Sequence, residues 1–301
     1  MTAEKIVFVG LGNMGGPMIL NLAKGEREVV GFDLSEAALV AARGAGVQTA
    51  GSLAEALAGA GVVITMLPAG RHVLSVWQEA LPQLRPGALL IDCSTIDVDS
   101  AHAAHAMAEK AGMESLDAPV SGGTAGAKAL TLTFMAGGSR EAFSRAEPIL
   151  SLMGRRIVHC GGPGAGQAAK ICNNMILGIS MIAVSEAFVL AEKLGLSHQA
   201  LFDVASTASG QCWSLTSYCP VPGPVPASPA NNGYKPGFAA ALMLKDLRLA
   251  SEAARATGAA TPLGRHAEEI FAGFAAGGGA DTDFSGIVEH LRAASGKGGN
   301  A

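Results

Sequence analysis

The side chains in this sequence best suited to move a proton are a lysine and an asparagine in an apolar stretch. Lys170 and Asn174 are four residues apart, so they share one face of a predicted helix. A neutral lysine amine accepts a proton and the ammonium form donates one. Gly178 continues this face without a side chain, so we expect room there for a ligand. The alternative is a lysine at a helix end whose ammonium reaches solvent.

Two further motifs carry anion-binding or charged groups. Ser121, Gly122 and Gly123 follow Asp117-Ala118-Pro119-Val120, and a hydroxyl beside two glycines exposes backbone N–H groups suited to a carboxylate. An ordinary turn explains the same residues equally well. Lys245 and Asp246 are neighbours in a helical stretch, where a solvated ion pair is the default interpretation.

A glycine-rich turn near the N-terminus is typical of a dinucleotide site. Gly10, Gly12 and Gly15 follow a short apolar run and open a helical stretch, and Asp33 ends the next apolar run, 18 residues after Gly15. These glycines permit a tight turn, backbone approach to a pyrophosphate, and close packing of helix on strand. Asp33 would bind ribose hydroxyls and repel a 2′-phosphate, and no Lys or Arg follows it directly. The motif therefore favours NAD over NADP, and a glycine turn without a cofactor is the alternative.

Strands alternating with helices must position the groups in the first half of the chain. Continuous apolar runs predict buried strands at residues 5–9, 29–33, 62–66 and 88–92. Helical stretches lie between them, which indicates a parallel sheet covered on both faces. We predict an α/β Rossmann-type doubly wound parallel sheet domain over residues 1–162.

The second half reads as helical from Gly164 onward. The helical stretches are 166–194, 239–257 and 264–274. The first is apolar nearly all round, which is typical of a central buried helix. A proline-rich segment at 220–229 predicts a rigid surface loop. We predict an all-α C-terminal domain over residues 163–301.

Composition restricts the partners. The net charge is −4 with no Lys/Arg cluster, which argues against nucleic acid as a partner. Mean hydropathy is +0.34, but polar residues interrupt each apolar run before the ~18–20 residues of a membrane span. Charged residues are 15% of the chain, below the usual ~25%, so we expect a homodimer or homotetramer that buries further surface.

Cysteine and histidine usage indicates a reduced, metal-free protein. Five cysteines are scattered without a Cys-x-x-Cys pair, which predicts free thiols, no zinc site and a cytoplasmic location. His102 and His105 lie three residues apart, and we interpret them as a solvated helix face rather than metal ligands.

In order and over essentially the whole chain, these motifs resemble the β-hydroxyacid dehydrogenase family. The similarity lies in Gly10-Leu11-Gly12-Asn13-Met14-Gly15, in residues 117–123 and 170–174, and in Lys245-Asp246-Leu247. Residues 209–223 with Asn231 and Asn232 are more particular and resemble the branch of the family that acts on 3-hydroxyisobutyrate. Two positions depart from the pattern: Leu130 stands where relatives usually have glycine, and Cys219 where asparagine is expected.

The resemblance implies a role for each motif. Lys170 would be the catalytic acid/base, Asn174 would orient the substrate, and Ser121, Gly122 and Gly123 would hold its carboxylate. Asn173 and Trp213 would also contact substrate. The implied NAD-binding residues are Gly10, Leu11, Gly12, Asn13, Met14, Gly15, Asp33, Leu67, Pro68, His72, Thr95 and Lys245. Of these, Leu67, Pro68, His72 and Thr95 would line the nicotinamide side, and Lys245 would reach the cofactor from the helical domain.

The implied reaction is the reversible oxidation of 3-hydroxyisobutyrate to methylmalonate semialdehyde, a step of valine catabolism. Burial and the positive nicotinamide ring both disfavour a charged Lys170 amine, so we expect oxidation to be fastest at alkaline pH. Two alternatives stay open at this point. One is a sibling enzyme such as a tartronate-semialdehyde reductase, and the other is a cofactor-sensing binding protein without turnover.

Overall fold

The computed structural model of this chain describes residues 4–296. By packing, the chain divides into two compact units, the first ending at Lys170 and the second beginning at Ile171. This division falls inside one long helix, eight residues later in the chain than the predicted domain boundary after residue 162. The predicted boundary stays a prediction.

The first unit is built on one sheet. Within the described residues its strands are β1 (Lys5–Val9), β2 (Val29–Phe32), β3 (Gln48–Thr49), β4 (Ala60–Thr65), β5 (Leu89–Asp92), β6 (Glu114–Asp117), β7 (Val120–Ser121), β8 (Leu132–Gly138) and β9 (Gly154–Gly161). The strand order is β3-β2-β1-β4-β5-β6-β8-β7, with β9 paired to β8. The strands from β3 to β6 are parallel, whereas β8 runs antiparallel to β6 and β7.

Helices cover both faces of this sheet. They are α1 (Gly15–Leu22), α2 (Glu36–Gly44), α3 (Leu53–Leu57), α4 (Gly70–Ala80), α5 (Val98–Lys110), α6 (Gly123–Ala129) and α7 (Arg140–Leu150). Side chains alternate across a strand, so Ile6 and Phe8 of β1 join one apolar cluster while Val7 and Val9 join another. The predicted doubly wound Rossmann-type sheet is therefore confirmed.

The strand order determines where a ligand can bind this sheet. From β1 the chain moves outward to β2 and β3, then returns to place β4 on the other side of β1. At such a switch point the loops leaving the two strands diverge and open a crevice at their carboxyl ends. The glycine turn follows β1 and residues 66–69 follow β4, so both border this crevice.

The second unit is helical, as predicted. The long helix α8 (Ala165–Lys193) leads into it, and α9 (His198–Ala205), α10 (Trp213–Thr216), α11 (Ala240–Thr257), α12 (Pro262–Phe274) and α13 (Ile287–Gly296) follow. In the part of this unit that the structure describes, extended pairing is limited to one isolated bridge, between Ala239 and Asp283. Two apolar clusters form its core, one around Phe271 and Phe284 and one around Phe188.

Helix α8 is less buried than its apolar sequence predicts. Its most apolar window is 50% buried, and Ile176 and Leu190 are exposed. By length and composition alone it is the one helix among the described residues that could cross a membrane, a property that core helices share. The predicted open space at Gly178 is wrong, because a Cβ there would lie 3.1 Å from Leu247 and 3.2 Å from Met243 on α11.

The proline-rich segment is only partly a surface loop. Pro222 and Pro226 are exposed, but Val221 is fully buried in the core of the second unit. The Ser228 hydroxyl, also buried, donates a hydrogen bond to the Cys219 carbonyl. The prediction of a surface loop is therefore wrong for this buried part, because its apolar residues supply core packing.

Candidate active site

The glycine turn between β1 and α1 has no room for side chains at two of its three glycines. Gly10 has φ +98°, and a Cβ there would lie 2.3 Å from the Met66 carbonyl oxygen. A Cβ at Gly15 would lie 1.8 Å from the Gly10 carbonyl oxygen. At Gly12, by contrast, a Cβ would meet nothing within 4 Å. The first and third glycines thus allow close packing, and the second faces open space.

The surroundings of this turn fit the pyrophosphate and ribose of a dinucleotide. Helix α1 begins at Gly15 without a side-chain cap and without an acidic residue in its first turn, so its positive N-terminal end is available to an anion. Asp33 accepts hydrogen bonds from the backbone N–H of Leu11 at 2.6 Å and of Ser35 at 2.7 Å. These bonds fix the carboxylate beside the turn and leave further lone pairs for hydroxyl groups.

Lys170 lies inside the first unit, next to the predicted carboxylate loop. Its side chain is 6% exposed, and its Nζ donates a hydrogen bond to the Val120 carbonyl oxygen at 2.8 Å. Val120 directly precedes Ser121, and Gly122 and Gly123 follow with φ values of +130° and +60°. The alternative of a solvent-reaching lysine is therefore wrong, and the amine is held beside the Ser-Gly-Gly loop.

A buried carboxylate fixes the start of the helix that carries Lys170. Asp117, at the end of β6, accepts hydrogen bonds from the backbone N–H of Gly164 at 2.9 Å and of Gln167 at 2.8 Å. The helix approaches the sheet so closely that a Cβ at Gly166 would lie 2.2 Å from the Met135 carbonyl oxygen. Asp117 therefore acts as an N-terminal cap on α8, close to the β8 backbone.

His105 completes the hydrogen bonds of Asp117 and corrects a prediction. It is 7% exposed, with Nε2 at 2.9 Å from Asp117 and Nδ1 at 2.7 Å from the Ser115 hydroxyl. The predicted solvated helix face holds for His102, which is exposed, and is wrong for His105, which turns toward the sheet. Among residues 4–296, no three His, Cys, Asp or Glu side chains form a group that could hold a metal ion.

A second buried carboxylate, Asp92, organises the loops after β4 and β5. Its Oδ1 accepts hydrogen bonds from the hydroxyls of Thr65 at 2.7 Å and Ser94 at 2.6 Å. Its Oδ2 is buried and has no hydrogen-bond partner within the described residues. Burial raises the pKa of the Asp92 carboxyl to about 6, against the lowering effect of the Ser94 and Thr65 hydrogen bonds.

The residues predicted for the nicotinamide side follow β4 and β5, which are neighbours in the sheet. The Leu67 N–H donates a hydrogen bond to the Ser94 hydroxyl at 2.7 Å, which joins the two loops next to Thr95. Pro68 is exposed at the same loop. His72 lies in the first turn of α4, and its Nδ1 is buried without a hydrogen-bond partner in the described structure.

The second unit orders its predicted substrate residues by side-chain hydrogen bonds. Asn174, one turn after Lys170 along α8, donates a hydrogen bond from its amide to Asp246 on α11. The Asn173 amide in turn donates to Asn174 Oδ1 at 2.9 Å. Asp246 is 4% exposed, so the default interpretation of a solvated ion pair with Lys245 is wrong for the acid.

Trp213 is held by an aromatic neighbour that sequence reasoning missed. Its indole, 52% exposed, stacks on Tyr218 with ring centroids 4.9 Å apart. The Tyr218 hydroxyl donates to the fully buried Asp283 at 2.9 Å, and burial raises the pKa of that hydroxyl. Cys219, where the resemblance implies asparagine, is fully buried in an apolar cluster of this unit.

Sequence reasoning gave Asp92 and Gln167 no role and named Asp117 only within its motif. The signal available for both acids is their position at the end of a strand, at the edge where parallel strands place ligands. The strand before Asp92 is continuously apolar, whereas the strand before Asp117 contains Glu114 and Ser115. The register pairs Asp92 with Asp117 on neighbouring strands. For Gln167 the sequence offers only a buried amide in the first turn of an apolar helix.

Comparisons with known proteins agree with this architecture. Residues 5–162 match the model of the NAD binding domain of 6-phosphogluconate dehydrogenase. Residues 164–291 match the model of the NAD-binding region of NADP-dependent 3-hydroxyisobutyrate dehydrogenase. A Mycobacterium tuberculosis protein named "Probable 3-hydroxyisobutyrate dehydrogenase" is 56% identical over 96% of this chain and 98% of its own length.

The chain belongs to the 3-hydroxyisobutyrate dehydrogenase family. It superposes with a TM-score of 0.94 on a Mycobacterium tuberculosis 3-hydroxyisobutyrate dehydrogenase solved with L-serine, which is 55% identical and matched over 97% of this chain and 100% of that one. It is also 45% identical to the NAD-dependent L-serine dehydrogenase of Pseudomonas aeruginosa, over 96% of this chain and 97% of that protein. This family member is therefore a β-hydroxyacid dehydrogenase that uses a nicotinamide cofactor.

Proposed function

We propose that this enzyme oxidises 3-hydroxyisobutyrate to methylmalonate semialdehyde with NAD, as a step of valine catabolism, and that Lys170 is its general base. The observation that carries the proposal is the buried Lys170 Nζ, 2.8 Å from the carbonyl that precedes Ser121. A buried amine beside a carboxylate-binding loop suits a hydroxy acid, whose hydroxyl must lose a proton while its carboxylate is held.

The residues of this chain divide the work of the reaction. When bound, NAD supplies the ring that accepts a hydride from the carbinol carbon. Lys170 takes the hydroxyl proton as that hydride leaves, and it ends as an ammonium that the Val120 carbonyl stabilises. Ser121, Gly122 and Gly123 hold the substrate carboxylate. Asn174, whose amide is fixed by Asp246, orients the substrate.

The preference for NAD over NADP rests on Asp33. Its carboxylate is fixed by two backbone N–H groups beside the glycine turn, so a 2′-phosphate would meet a negative charge that cannot turn away. An Asp33→Ala variant should raise KM for NAD and lower the discrimination against NADP. Asp99→Ala removes an exposed acid elsewhere and serves as the matched control. Unchanged KM values for both cofactors in Asp33→Ala would contradict this assignment.

L-Serine is a second candidate substrate. A relative 45% identical to this chain is named for L-serine, and a solved relative 55% identical was crystallised with it. L-Serine and 3-hydroxyisobutyrate share a carboxylate and a primary hydroxyl in the same relation, so one Ser-Gly-Gly loop and one lysine can serve both.

The deciding experiment measures kcat/KM for a panel of 3-hydroxy acids with NAD and with NADP, followed by absorbance at 340 nm. The proposal predicts the highest value for 3-hydroxyisobutyrate with NAD. A higher kcat/KM for L-serine would select the second candidate. The highest kcat/KM for the substrate pair of a tartronate-semialdehyde reductase would select that sibling enzyme. Cofactor binding without any turnover would identify a cofactor-sensing binding protein instead.

We also propose that the enzyme is a homodimer or homotetramer. Ile176 and Leu190 on α8 and Leu194 directly after it are 63%, 60% and 75% exposed, and large exposed apolar side chains favour burial against a second copy. Light scattering should give a mass of at least twice 30.2 kDa, and Leu190→Glu should lower it. A monomeric mass for the unmodified chain would refute the proposal.

A further inference from the structure

A buried glutamine amide connects the loop after β5, the nicotinamide-side loop that contains Thr95, to the helix that carries Lys170. Gln167 is fully buried. Its Nε2 donates a hydrogen bond to the Ser94 carbonyl at 2.8 Å, and its Oε1 accepts one from the Ile96 N–H at 3.1 Å. These two backbone groups flank Thr95. We infer that Gln167 is a positioning residue that holds the nicotinamide-side loop in a fixed relation to Lys170.

The backbone of Gln167 is itself immobilised. Its N–H donates a hydrogen bond to Asp117 Oδ2 at 2.8 Å, and the same carboxylate accepts from Gly164 at 2.9 Å. A Cβ at Gly137 would lie 2.6 Å from the Gly166 nitrogen, so the first turn of α8 rests directly on the β8 backbone. The amide of Gln167 therefore extends from a rigid base toward the loop after β5.

The same loop carries the connection one strand further. The Ser94 hydroxyl accepts a hydrogen bond from the Leu67 N–H at 2.7 Å and donates one to Asp92 at 2.6 Å. One continuous set of hydrogen bonds thus runs from the loop after β4, through Ser94 and Gln167, to the helix turn that ends at Lys170. All of these residues belong to the first unit.

Glutamine is the residue type that this position requires. A side-chain amide presents a donor and an acceptor together, so it can serve the Ser94 carbonyl and the Ile96 N–H at once. An ionised glutamate has acceptors only and would repel the Ser94 carbonyl. Methionine would fill similar space and form neither bond.

The consequence for the reaction is geometric and rests on the proposed function. Hydride and proton transfer need the reacting groups in one near-attack arrangement, and a misplacement of about 1 Å can cost about 100-fold in rate. Gln167 contacts neither substrate nor cofactor in this account. It determines where the loop lies when Lys170 accepts the proton.

The test compares Gln167→Met with Gln83→Met. Gln83 is exposed and its amide donates to the Glu79 carbonyl within its own helical region. We expect Gln167→Met to lower kcat about 10- to 100-fold and to raise the primary deuterium isotope effect measured with substrate deuterated at the carbinol carbon. A merely structural role would lower the amount of folded enzyme and leave that isotope effect unchanged. Wild-type kcat per folded site with an unchanged isotope effect would overturn the inference.

Gln167→Glu provides a second variant with a pH signature. Its protonated carboxyl regains a donor beside its acceptor, so its kcat relative to that of the unmodified enzyme should rise as pH falls. If the ratio of the two kcat values did not change with pH in a folded variant, the positioning role of Gln167 would be contradicted.

Titration with NADH separates this inference from the proposed function. Loss of the two loop hydrogen bonds should weaken NADH binding about tenfold in Gln167→Met and leave Gln83→Met unchanged. If the unmodified chain oxidised no hydroxy acid, the proposed function would fail. This difference in NADH affinity would still support the positioning role of Gln167. Equal NADH dissociation constants in the unmodified chain, Gln167→Met and Gln83→Met would overturn the positioning role of Gln167 and leave the proposed function standing.

Discussion

The glycine turn and the buried network behind Lys170 are built in opposite ways. The turn is made of backbone: its glycines work through absent side chains, and a Cβ at Gly15 would lie 1.8 Å from a carbonyl oxygen. The network is made of side chains that join distant segments, such as Asp117 with the start of α8. The turn prepares a surface for an anion, whereas the network fixes the direction of a helix and its lysine.

This contrast teaches that the two regions fail differently when altered. A substitution in the turn acts by occupying space, so its effect depends on which glycine is changed. A substitution in the network acts by leaving buried donors or acceptors unpaired, which costs free energy even when the shape is preserved.

Gly15→Ala and Gly12→Ala should separate folding from cofactor binding. We expect Gly15→Ala to lower the free energy of unfolding by about 3 kcal/mol or more, because the rigid Gly10 carbonyl cannot move aside. Gly12→Ala should keep its stability, since nothing lies within 4 Å of the added methyl, yet weaken NADH binding about tenfold or more. Urea unfolding and NADH titration measure the two quantities, and equal stability losses in both variants would contradict this account of the turn.

Asp117→Asn should show what the network contributes. The shape is kept, but an amide nitrogen faces backbone N–H groups of α8, and we expect a loss of about 2–4 kcal/mol in the free energy of unfolding. Asp99→Asn, an exposed acid on α5, should change it by less than about 0.5 kcal/mol. Comparable urea midpoints for the two variants would argue against a capping role of Asp117.

Asp92 should produce a pH dependence of stability with a definite sign. Its folded pKa, about 6, lies above the ordinary value because burial disfavours the charged form. Below the ordinary carboxyl pKa both states are protonated and no penalty exists. As pH rises to about 6, the unfolded state ionises first, so the folded state loses stability, by about 3 kcal/mol in total.

Asp92→Asn removes this titration and keeps the Oδ1 acceptor. Its stability relative to the unmodified enzyme should therefore rise between pH 3 and pH 7 by about 3 kcal/mol. Denaturant unfolding at several pH values measures the difference. A difference that stays constant over this window, or falls, would show that burial does not raise the pKa of the Asp92 carboxyl.

Substitutions at Leu130 should give the smallest change in stability, and glycine should be more stabilising than alanine there, the reverse of their usual order in a helix. Leu130 follows the last residue of α6 in the left-handed conformation, with φ 61° and ψ 28°, a conformation that favours glycine. Leu130→Gly should be about 1 kcal/mol more stable than Leu130→Ala, because only glycine adopts this conformation without strain. Ala129→Gly, in the helix itself, should instead destabilise by about 1 kcal/mol. Thermal unfolding of all three variants decides the point.

How far the sequence could predict the site follows the same contrast. The turn from Gly10 to Gly15 is local, so its spacing and Asp33 predict both its fold and its ligand. Lys170 and Asn174 are also readable, because four residues make one helical turn. The links from Gln167 to Ser94 and from Asp117 to His105 join segments far apart in the chain, and no local pattern encodes them.

Two wrong predictions have the same origin. Gly178 reads as an opening because glycine lacks a side chain, but Leu247 and Met243 on another helix occupy that space. His105 reads as solvated because it lies three residues from His102 on one predicted helix face, yet Asp117 and Ser115 bind both of its ring nitrogens. In both cases the partner is determined by tertiary packing rather than by neighbours in sequence.

The turnover of Lys170→Ala with saturating NAD and 3-hydroxyisobutyrate decides whether Lys170 is the general base. Lys128→Ala, an exposed lysine of the same unit, is the matched control. If Lys170 moves the proton, its removal should lower kcat by about 2–4 orders of magnitude, while NADH affinity and folding remain near those of the control. A Lys170→Ala enzyme whose kcat stays within about threefold of the control would contradict the account.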